Sequence, residues 1–322
     1  MKNITNKIGK AFLPFIFAGM VISGCDIQEK ENVTNSDNLK FKEKEDITKP
    51  DILKSKIPQK EYNAIYEIFN SVGKNPEDFY KRDNKGRIRI KRNSIFYLDV
   101  SAIGLNTLYN SIAYLENLER LDLQANKIES IPHEIGNLKN LKILYCGWNH
   151  ISLIPPEIGN LENLTRLDFV GNNIRLIPPE IGNLKNLTHL YFGWNKIEVI
   201  PPEIGNLKNL EVFYFGENNI GLIPPEIWNL KNLISLDFGW NKIEIIPPEI
   251  ENLKNLKILY LGENNIKLIP PEIVNLKNLE ELYLMSNPLT QGSKEILKEL
   301  KKQRSSGISI KINKSNFNFT ER

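Results

Sequence analysis

Aromatic residues that recur at an interval of 23 residues have the clearest chemical potential in this sequence. Tyrosine and tryptophan combine a large rigid surface with a polar tip, so they dominate the binding hot spots of proteins. We expect one exposed face to carry the following partner-binding residues: Tyr145, Trp148, Tyr191, Trp194, Tyr214, Asp237, Trp240, Tyr260 and Tyr283. The alternative is that the rings stack on one another along a sheet and only stabilise it.

Residues suited to catalysis are scarce. The chain of 322 residues has three histidines and two cysteines, and it has no glycine-rich phosphate loop, nucleophile elbow or zinc-ligand spacing. His150 and His189 are nearly two repeats apart, roughly 8–10 Å at the spacing of β-strands, which is too far for one metal ion without further ligands. Cys146 occupies an apolar position and is expected to be a buried thiol. We therefore predict no catalytic residue, no metal site, no cofactor and no enzymatic activity.

The second cysteine, Cys25, follows a segment typical of a secretory signal. Residues 1–10 carry three lysines and no acid, and residues 11–22 form an apolar run that is too short to span a membrane. The run ends in Ile-Ser-Gly-Cys at residues 22–25, which resembles a bacterial lipobox. That resemblance implies cleavage before Cys25 and acylation of this residue, which would anchor the protein to a bilayer. An ordinary signal peptide with an incidental cysteine is the alternative.

Composition favours a folded, neutral chain behind this signal. Apolar residues make up 41% of the sequence and charged residues 25%. Of the 42 basic residues, three lie in the first 24 residues, and the remaining 39 equal the 39 acidic residues. This balance argues against nucleic acid as a partner. The repeat region is mildly acidic, which slightly favours a basic protein partner.

A 23-residue repeat occupies the middle of the chain. Each unit opens on a leucine and has the pattern Leu-x-x-Leu-x-Leu-x-x-Asn-x-Ile-x-x-Ile-Pro-x-x-Ile-x-x-Leu-x-Asn, and the eight opening leucines are Leu118, Leu141, Leu164, Leu187, Leu210, Leu233, Leu256 and Leu279. The Leu-x-Leu alternation predicts a short strand, and the proline predicts a helical or 3-10 turn after it. The first asparagine, as in Asn172, is expected to be buried, with its amide bonded to the backbone of its own and the next coil. No unit can bury this apolar set alone, so the units must stack.

The repeats resemble the leucine-rich repeats of bacterial lipoproteins. That family implies an α/β solenoid, a horseshoe with a parallel sheet on the concave face, short helical or 3-10 turns on the convex face, and a cap at each end. It also implies protein–protein interaction, in some members adhesion. A binder of envelope glycans and a purely structural repeat protein are the alternatives. The lipobox implies a lipid-anchored protein of the cell envelope, either at the cell surface or on the periplasmic face. Asp26, which follows the cysteine, resembles an inner-membrane retention signal and favours the periplasmic face.

The repeat pattern also divides the chain. We predict an amphipathic helix within residues 58–73, an edge strand within 86–92, a second helix within 293–303 and a last strand within 308–312. The five predicted segments are a signal peptide (1–24), a lipidated disordered tether (25–57), an N-terminal cap (58–94), the repeats (95–287), and a C-terminal cap and tail (288–322).

Overall fold

The computed structural model describes residues 52–81, 86–303 and 307–312, which contain one eleven-stranded sheet. The strands follow one another across the sheet in sequence order. The first pair is antiparallel and the later pairs are parallel. The strands are β1 (Ile88–Lys91), β2 (Ser94–Asp99), β3 (Arg120–Asp122), β4 (Ile143–Tyr145), β5 (Arg166–Asp168), β6 (His189–Tyr191), β7 (Val212–Tyr214), β8 (Ser235–Asp237), β9 (Ile258–Tyr260), β10 (Glu281–Tyr283) and β11 (Ser309–Lys311).

Each repeat supplies one three-residue strand whose middle side chain points into the core. Leu121 lies opposite Leu144, and Leu144 lies opposite Leu167, so equivalent positions of successive units are aligned. A strand has a side-chain period of two, so this register keeps every leucine inward and leaves the two flanking residues on the other face. The predicted α/β solenoid with a parallel sheet is confirmed.

The Ile-Pro segments start short 3-10 helices on the opposite side of the solenoid. A proline precedes each of the seven turns from His133–Asn137 onward and has φ between −64° and −81°, close to the value that its ring imposes. The turns in the repeats are Asn110–Tyr114, His133–Asn137, Pro156–Asn160, Pro179–Asn183, Pro202–Asn206, Pro225–Asn229, Pro248–Asn252 and Pro271–Asn275, and a further turn, Pro76–Phe79, lies before β1.

The core between sheet and turns is a set of stacked columns of leucine and isoleucine. In the column of the third apolar residue, phenylalanines replace leucine in four successive coils. The rings of Phe169 and Phe192 are 5.4 Å apart, and those of Phe192 and Phe215 are 5.3 Å apart. Cys146 lies in the same column and is fully buried, as predicted.

Buried asparagines join each coil to the one before it. Asn172 Nδ2 donates to the carbonyl oxygens of Phe169 in its own coil and of Cys146 in the preceding coil. Its Oδ1 accepts from the N–H of Ile151, also in the preceding coil. The prediction that this amide bonds to the next coil was therefore wrong in direction. The left-handed residue just before the asparagine turns the chain so that the amide faces backward.

A second asparagine column on the turn side has the same function. Asn140 Nδ2 donates to Glu116 O, and Asn163 Nδ2 donates to Lys139 O, each contact reaching back 24 residues. The same bond recurs at Asn186, Asn209, Asn232, Asn255 and Asn278. Consecutive coils are thus connected by side-chain amides on both sides of the core.

The N-terminal cap is built on helix α1, Gln59–Asn70, which confirms the predicted helix. The buried Glu61 accepts from Ser94 Oγ at 2.6 Å and from the N–H of Ile95 at 2.8 Å, so it connects α1 to β2. Leu53 is fully buried against this cap, and its N–H donates to Glu77 at 2.9 Å. The predicted tether boundary at residue 57 was therefore wrong, because residues 52–57 pack in the cap. Residues 25–51 of the tether lie outside the described residues.

The C-terminal end of the sheet is covered by helix α2, Gln291–Gln303, and by β11, which pairs with β10. Leu297 and Leu300 are buried on the inner side of α2, and Ile296 is partly buried, as the sequence predicted. The edge strand expected within residues 86–92 is β1. The solenoid is therefore closed at both ends, and its concave sheet face remains the broad uncovered surface.

Candidate functional site

Three columns of side chains form the concave face. The strand-start column is Tyr97, Arg120, Ile143, Arg166, His189, Val212, Ser235, Ile258, Glu281 and Ser309. The strand-end column is Asp99, Asp122, Tyr145, Asp168, Tyr191, Tyr214, Asp237, Tyr260, Tyr283 and Lys311. The turn column, three residues after the strand-end column, is Ala125, Trp148, Gly171, Trp194, Glu217, Trp240, Glu263 and Ser286.

Three of the nine predicted partner-binding residues are not exposed. Tyr145 is 3% exposed, Tyr283 is 8% exposed, and Asp237 is also buried. Tyr145 is covered by two arginines, whereas Tyr283 stacks on Tyr260 with ring centroids 3.9 Å apart. The expectation that the whole aromatic set faces solvent was therefore wrong. The tyrosines pack on the sheet as the stacking alternative describes.

The aspartates of the strand-end column are buried and cap the turn that follows. Asp122, Asp168 and Asp237 each accept a hydrogen bond from the N–H two residues later, at 2.8–3.1 Å. Burial raises the pKa of Asp122 and Asp168 to about 6 and that of Asp237 to about 7. The nearby Glu217 carboxylate adds to the increase in the pKa of Asp237. These carboxyl groups therefore have a structural role, with charges that respond to pH near neutrality.

The turn column has a backbone conformation that the sequence did not reveal. Each of its residues has a positive φ, for example 57° at Trp148, 58° at Trp194 and 55° at Trp240. Side chains other than glycine disfavour this region by about 1–2 kcal/mol. Gly171, with φ of 69°, shows that glycine is accepted in this column. Tryptophan is therefore retained at positions where its backbone is strained.

The tryptophans project from these turns onto the edge of the concave face. Trp148 is 44% exposed and Trp240 is 41% exposed, whereas Trp194 is half-buried. The rings of Trp148 and Trp194 lie 6.2 Å apart although a whole coil separates them. The intervening residue is Gly171, and a Cβ there would lie 2.8 Å from the Trp148 ring. The glycine thus provides the space in which the two rings meet.

Tyr191, Tyr214 and Tyr260 remain half-buried on the same face. The ring of Tyr214 lies over Gly193, where a Cβ would approach it to 2.2 Å. Burial raises the pKa of Tyr191 to about 12 and the pKa of Tyr214 and Tyr260 well above their ordinary value. All three phenols are therefore neutral at physiological pH, so they offer hydrogen bonds and apolar area.

Arginines from the strand-start column interleave with tyrosines at the amino-terminal end of the face. The Arg89 guanidinium lies 4.2 Å from the Tyr97 ring, and the Arg120 guanidinium lies 5.3 Å from Tyr97 and 5.0 Å from Tyr145. Arg166 Nη1 donates to Tyr145 Oη at 3.2 Å. We call these five residues, which cross β1 to β5, the arginine–tyrosine ladder. Guanidinium groups stack well on aromatic rings and keep donors free for carboxylates.

The arginine–tyrosine ladder was not predicted from the sequence, because only the columns after the second leucine of each unit were assigned to the concave face. The residue just before that leucine, Arg120 or Arg166, has the same alternation and could have been assigned to the concave face. His189 continues the column, and burial together with Arg166 lowers its pKa to about 4. It is therefore neutral at pH 7, and the positive charge here belongs to the arginines.

The opposite end of the face is acidic. Glu217 and Glu263 flank Trp240 in the turn column, and Glu281 begins β10. Burial and the charge of Glu263 raise the pKa of Glu217, which indicates that the two carboxylates interact electrostatically. The concave face thus has an acidic carboxyl-terminal end, whereas at its amino-terminal end the arginines are balanced by Asp99, Asp122 and Asp168 of the strand-end column.

The remaining predicted positions add no second site. Among the described residues, no group of three or more histidine, cysteine or acidic side chains has the geometry to hold a metal ion. In the same residues, no helix is both long and apolar enough to cross a membrane. Cys25 and the signal segment lie outside the described residues.

Models of known families match most of the repeat region. Residues 241–289 match a leucine rich repeat model, and residues 116–157 match a model of leucine rich repeats in two copies. A single leucine rich repeat model matches residues 163–184, 186–207 and 209–230. The repeats are leucine-rich repeats. Proteins with leucine-rich repeats are typically interaction scaffolds without catalytic activity, and no curated protein matches this chain.

Solved structures with leucine-rich repeats share the fold. A leucine-rich-repeat protein of Leptospira interrogans is 35% identical over 66% of this chain and 59% of its own, with a TM-score of 0.55. The plant peptide hormone receptor RGFR1, solved in complex with RGF2, is 34% identical over 58% of this chain and 31% of its own, with a TM-score of 0.54. The ectodomain of the receptor kinase GASSHO1/SCHENGEN3 from Arabidopsis thaliana, in complex with CASPARIAN STRIP INTEGRITY FACTOR 2, is 25% identical over 71% of this chain and 33% of its own, with a TM-score of 0.61. This chain therefore spans less than two thirds of the length of each.

Proposed function

We propose that this protein is an envelope-anchored leucine-rich-repeat module that captures a protein partner on its concave face. The observation that carries the proposal is the exposure of Trp148 and Trp240 at the edge of the concave face, where they are 44% and 41% exposed. Exposed tryptophans supply a large rigid surface and are enriched among the residues that dominate binding energy in protein interfaces. Two of the similar structures are complexes with RGF2 and CASPARIAN STRIP INTEGRITY FACTOR 2, which is consistent with a protein or peptide ligand.

The charge distribution specifies what the partner presents. The arginine–tyrosine ladder adds no net positive charge, because Arg120 Nη2 lies 4.0 Å from Asp122 Oδ2, and Asp99 and Asp168 lie at the same end of the face. Glu217 and Glu263 at the other end favour a basic segment. Complementary potentials of this kind orient a partner and accelerate association. We therefore propose a partner that presents basic groups to Glu217 and Glu263, in line with the mildly acidic charge of the repeats.

The test uses a photo-crosslinking residue at Ser235, in the centre of the strand-start column, followed by mass spectrometry of adducts formed in cells. Replacing Trp148 and Trp240 with alanine should reduce the adduct at least tenfold, since loss of such anchors costs about 2 kcal/mol or more each. Tyr114→Ala is the matched control, because Tyr114 is 51% exposed and lies outside the concave face. An adduct that the tryptophan changes leave intact contradicts the proposal.

The nature of the adduct separates the alternatives. A crosslinked species that protease shortens and glycosidase does not is a protein partner. A species with the opposite sensitivity is an envelope glycan, which would replace the protein in this proposal. Absence of any adduct from a folded, correctly located chain supports a purely structural repeat protein.

Anchoring is the second part of the proposal. We infer that Cys25 is acylated after cleavage of residues 1–24, and that the repeats face either the exterior, where adhesion is the expected role, or the periplasm. Cys25→Ala should abolish incorporation of a radiolabelled fatty acid and move the protein from the membrane fraction to the soluble fraction. If protease digests the repeats on intact cells, the repeats are located at the cell surface. If the repeats are protected until the cells are permeabilised, they are located on the periplasmic face. A Cys25→Ala chain that stays labelled contradicts acylation at this residue.

A further inference from the structure

Away from the concave face, six consecutive coils expose an aliphatic side chain at the same position. The position is the residue before the isoleucine of each Ile-Pro-Pro. The six residues, which we call the aliphatic stripe, are 62–72% exposed: Leu153, Leu176, Val199, Leu222, Ile245 and Leu268. Single exposed leucines are ordinary on a soluble protein, but a contiguous row of this kind marks an interaction surface.

The backbone under the stripe is extended. Leu153 pairs in parallel with Ser130, and Ile245 pairs in parallel with Leu268, each as an isolated bridge between neighbouring coils. Parallel neighbours are about 4.8 Å apart, so six side chains at this spacing form a row of roughly 24 Å. The second proline of each Ile-Pro-Pro, three residues after the stripe residue, is also exposed and adds further apolar surface.

The row supplies about two thirds of one side of a small symmetric interface. At this exposure each side chain offers roughly 70 Å² of apolar surface, or about 400 Å² for the row. Two copies face to face, with their polar flanks included, would bury about 1,200 Å², which is the lower limit for a specific interface.

The charges beside the stripe fit a second copy in antiparallel orientation. The flanking column, one residue earlier in each coil, is Ser152, Arg175, Glu198, Gly221, Glu244 and Lys267, all exposed. A two-fold axis between the coils of Val199 and Leu222 places Arg175 opposite Glu244 of the second copy, and Glu244 opposite its Arg175. Serine then faces lysine and glutamate faces glycine, so no two like charges lie directly opposite one another. Within the described residues, neither Arg175 nor Glu244 forms an ion pair inside its own chain.

We propose that the aliphatic stripe is a self-association surface on which a second copy of this chain packs antiparallel. The dimer buries leucine, isoleucine and valine in its centre and is oriented by two symmetric Arg175–Glu244 pairs. Because the stripe lies off the concave face, both copies keep their sheet faces free. The dimer thus presents two concave faces and does not depend on the proposed partner.

The charge pair gives a test that does not disturb the core. Sedimentation of the full chain between about 1 and 100 μM should show a monomer–dimer equilibrium. Arg175→Glu alone and Glu244→Arg alone should each raise the dimer dissociation constant at least tenfold, because each places like charges opposite one another. The double variant should return the constant to within about threefold of wild type. If the single and double variants raise the dimer dissociation constant equally, this result would contradict the antiparallel arrangement.

Val199→Asp combined with Leu222→Asp tests the apolar part. This variant should be monomeric, whereas Lys208→Glu, which changes the net charge by the same amount on another exposed column, should dimerise like wild type. A wild-type chain that stays monomeric throughout overturns the proposal. The main alternative is that the stripe binds lipid, and flotation with vesicles of phosphatidylglycerol tests it. If the wild-type monomer binds these vesicles and the Val199→Asp/Leu222→Asp variant does not, the stripe is a lipid-binding surface.

Discussion

At the scale of single residues, the turn column has a backbone conformation that favours glycine, although some of its residues carry large side chains. Trp240 has a φ of 55°, which favours glycine, yet it carries one of the largest side chains. We expect Trp240→Gly to unfold at a higher urea concentration than Trp240→Ala, by about 1 kcal/mol in free energy, because only glycine is free of strain at this φ. Both should lose the Ser235 adduct equally. An alanine variant as stable as the glycine variant would show that the column is not strained.

Asp237 makes the stability of the protein sensitive to pH. Its pKa is about 7 in the folded protein and 3.8 without the fold, so folding favours the protonated form. The stability from this group is complete below about pH 4 and is lost as the pH rises through 7. Asp237→Asn keeps an oxygen for the Gly239 N–H and carries no charge.

We therefore expect Asp237→Asn to be more stable than wild type at pH 8, by about 1–3 kcal/mol. The advantage should shrink towards zero as the pH falls to about 4.5. Urea denaturation across this range measures it, with Glu129→Gln as the control for removing one exposed negative charge. A constant difference between wild type and the Asp237 variant at all pH values would contradict burial as the cause.

At the scale of elements, Glu61 stabilises the packing of the N-terminal cap on the sheet. Its carboxylate satisfies Ser94 Oγ and the Ile95 N–H inside the interface between α1 and β2. Glu61→Ala should cost about 2–4 kcal/mol, because two buried donors lose their acceptor. Hydrogen exchange should localise the loss to α1, β1 and β2. Glu116→Ala, which removes an exposed carboxylate paired with Lys60, is the control and should cost less than about 1 kcal/mol.

The elements were predictable from the sequence because burial follows the apolar period. The 23-residue spacing determines the strands, proline places the 3-10 turns, and the alternation at residues 308–312 predicts the closing strand β11. The positive φ of the turn column was not predictable, since alanine, glutamate and serine share it with tryptophan. The burial of Tyr145 was not predictable either, because the arginines that cover it lie 25 residues before it and 21 residues after it, in the two neighbouring units.

At the scale of the whole molecule, the repeats are interchangeable. Every unit contacts its neighbours through the same register and the same two asparagine columns. Deleting residues 187–209, one complete unit, should leave a cooperative fold with a melting temperature lower by about 5–10 °C. Deleting residues 187–197 should prevent folding, because the asparagines and leucines no longer align. Circular dichroism and thermal melting distinguish the two outcomes, and loss of structure in the 23-residue deletion would contradict the nearest-neighbour description.

The backward-facing asparagines also bear on how the molecule responds to mechanical force. Each coil is tied to the preceding one by amide contacts such as those of Asn172 and Asn163. A force applied to the last coil therefore acts on one set of inter-coil contacts at a time, and the coils detach one after another from the carboxyl-terminal end. Each rupture releases 23 residues, or about 75–80 Å of chain. If the protein connects a membrane to a partner under flow, it can lengthen coil by coil and dissipate work at every step while its anchor and its remaining face stay engaged.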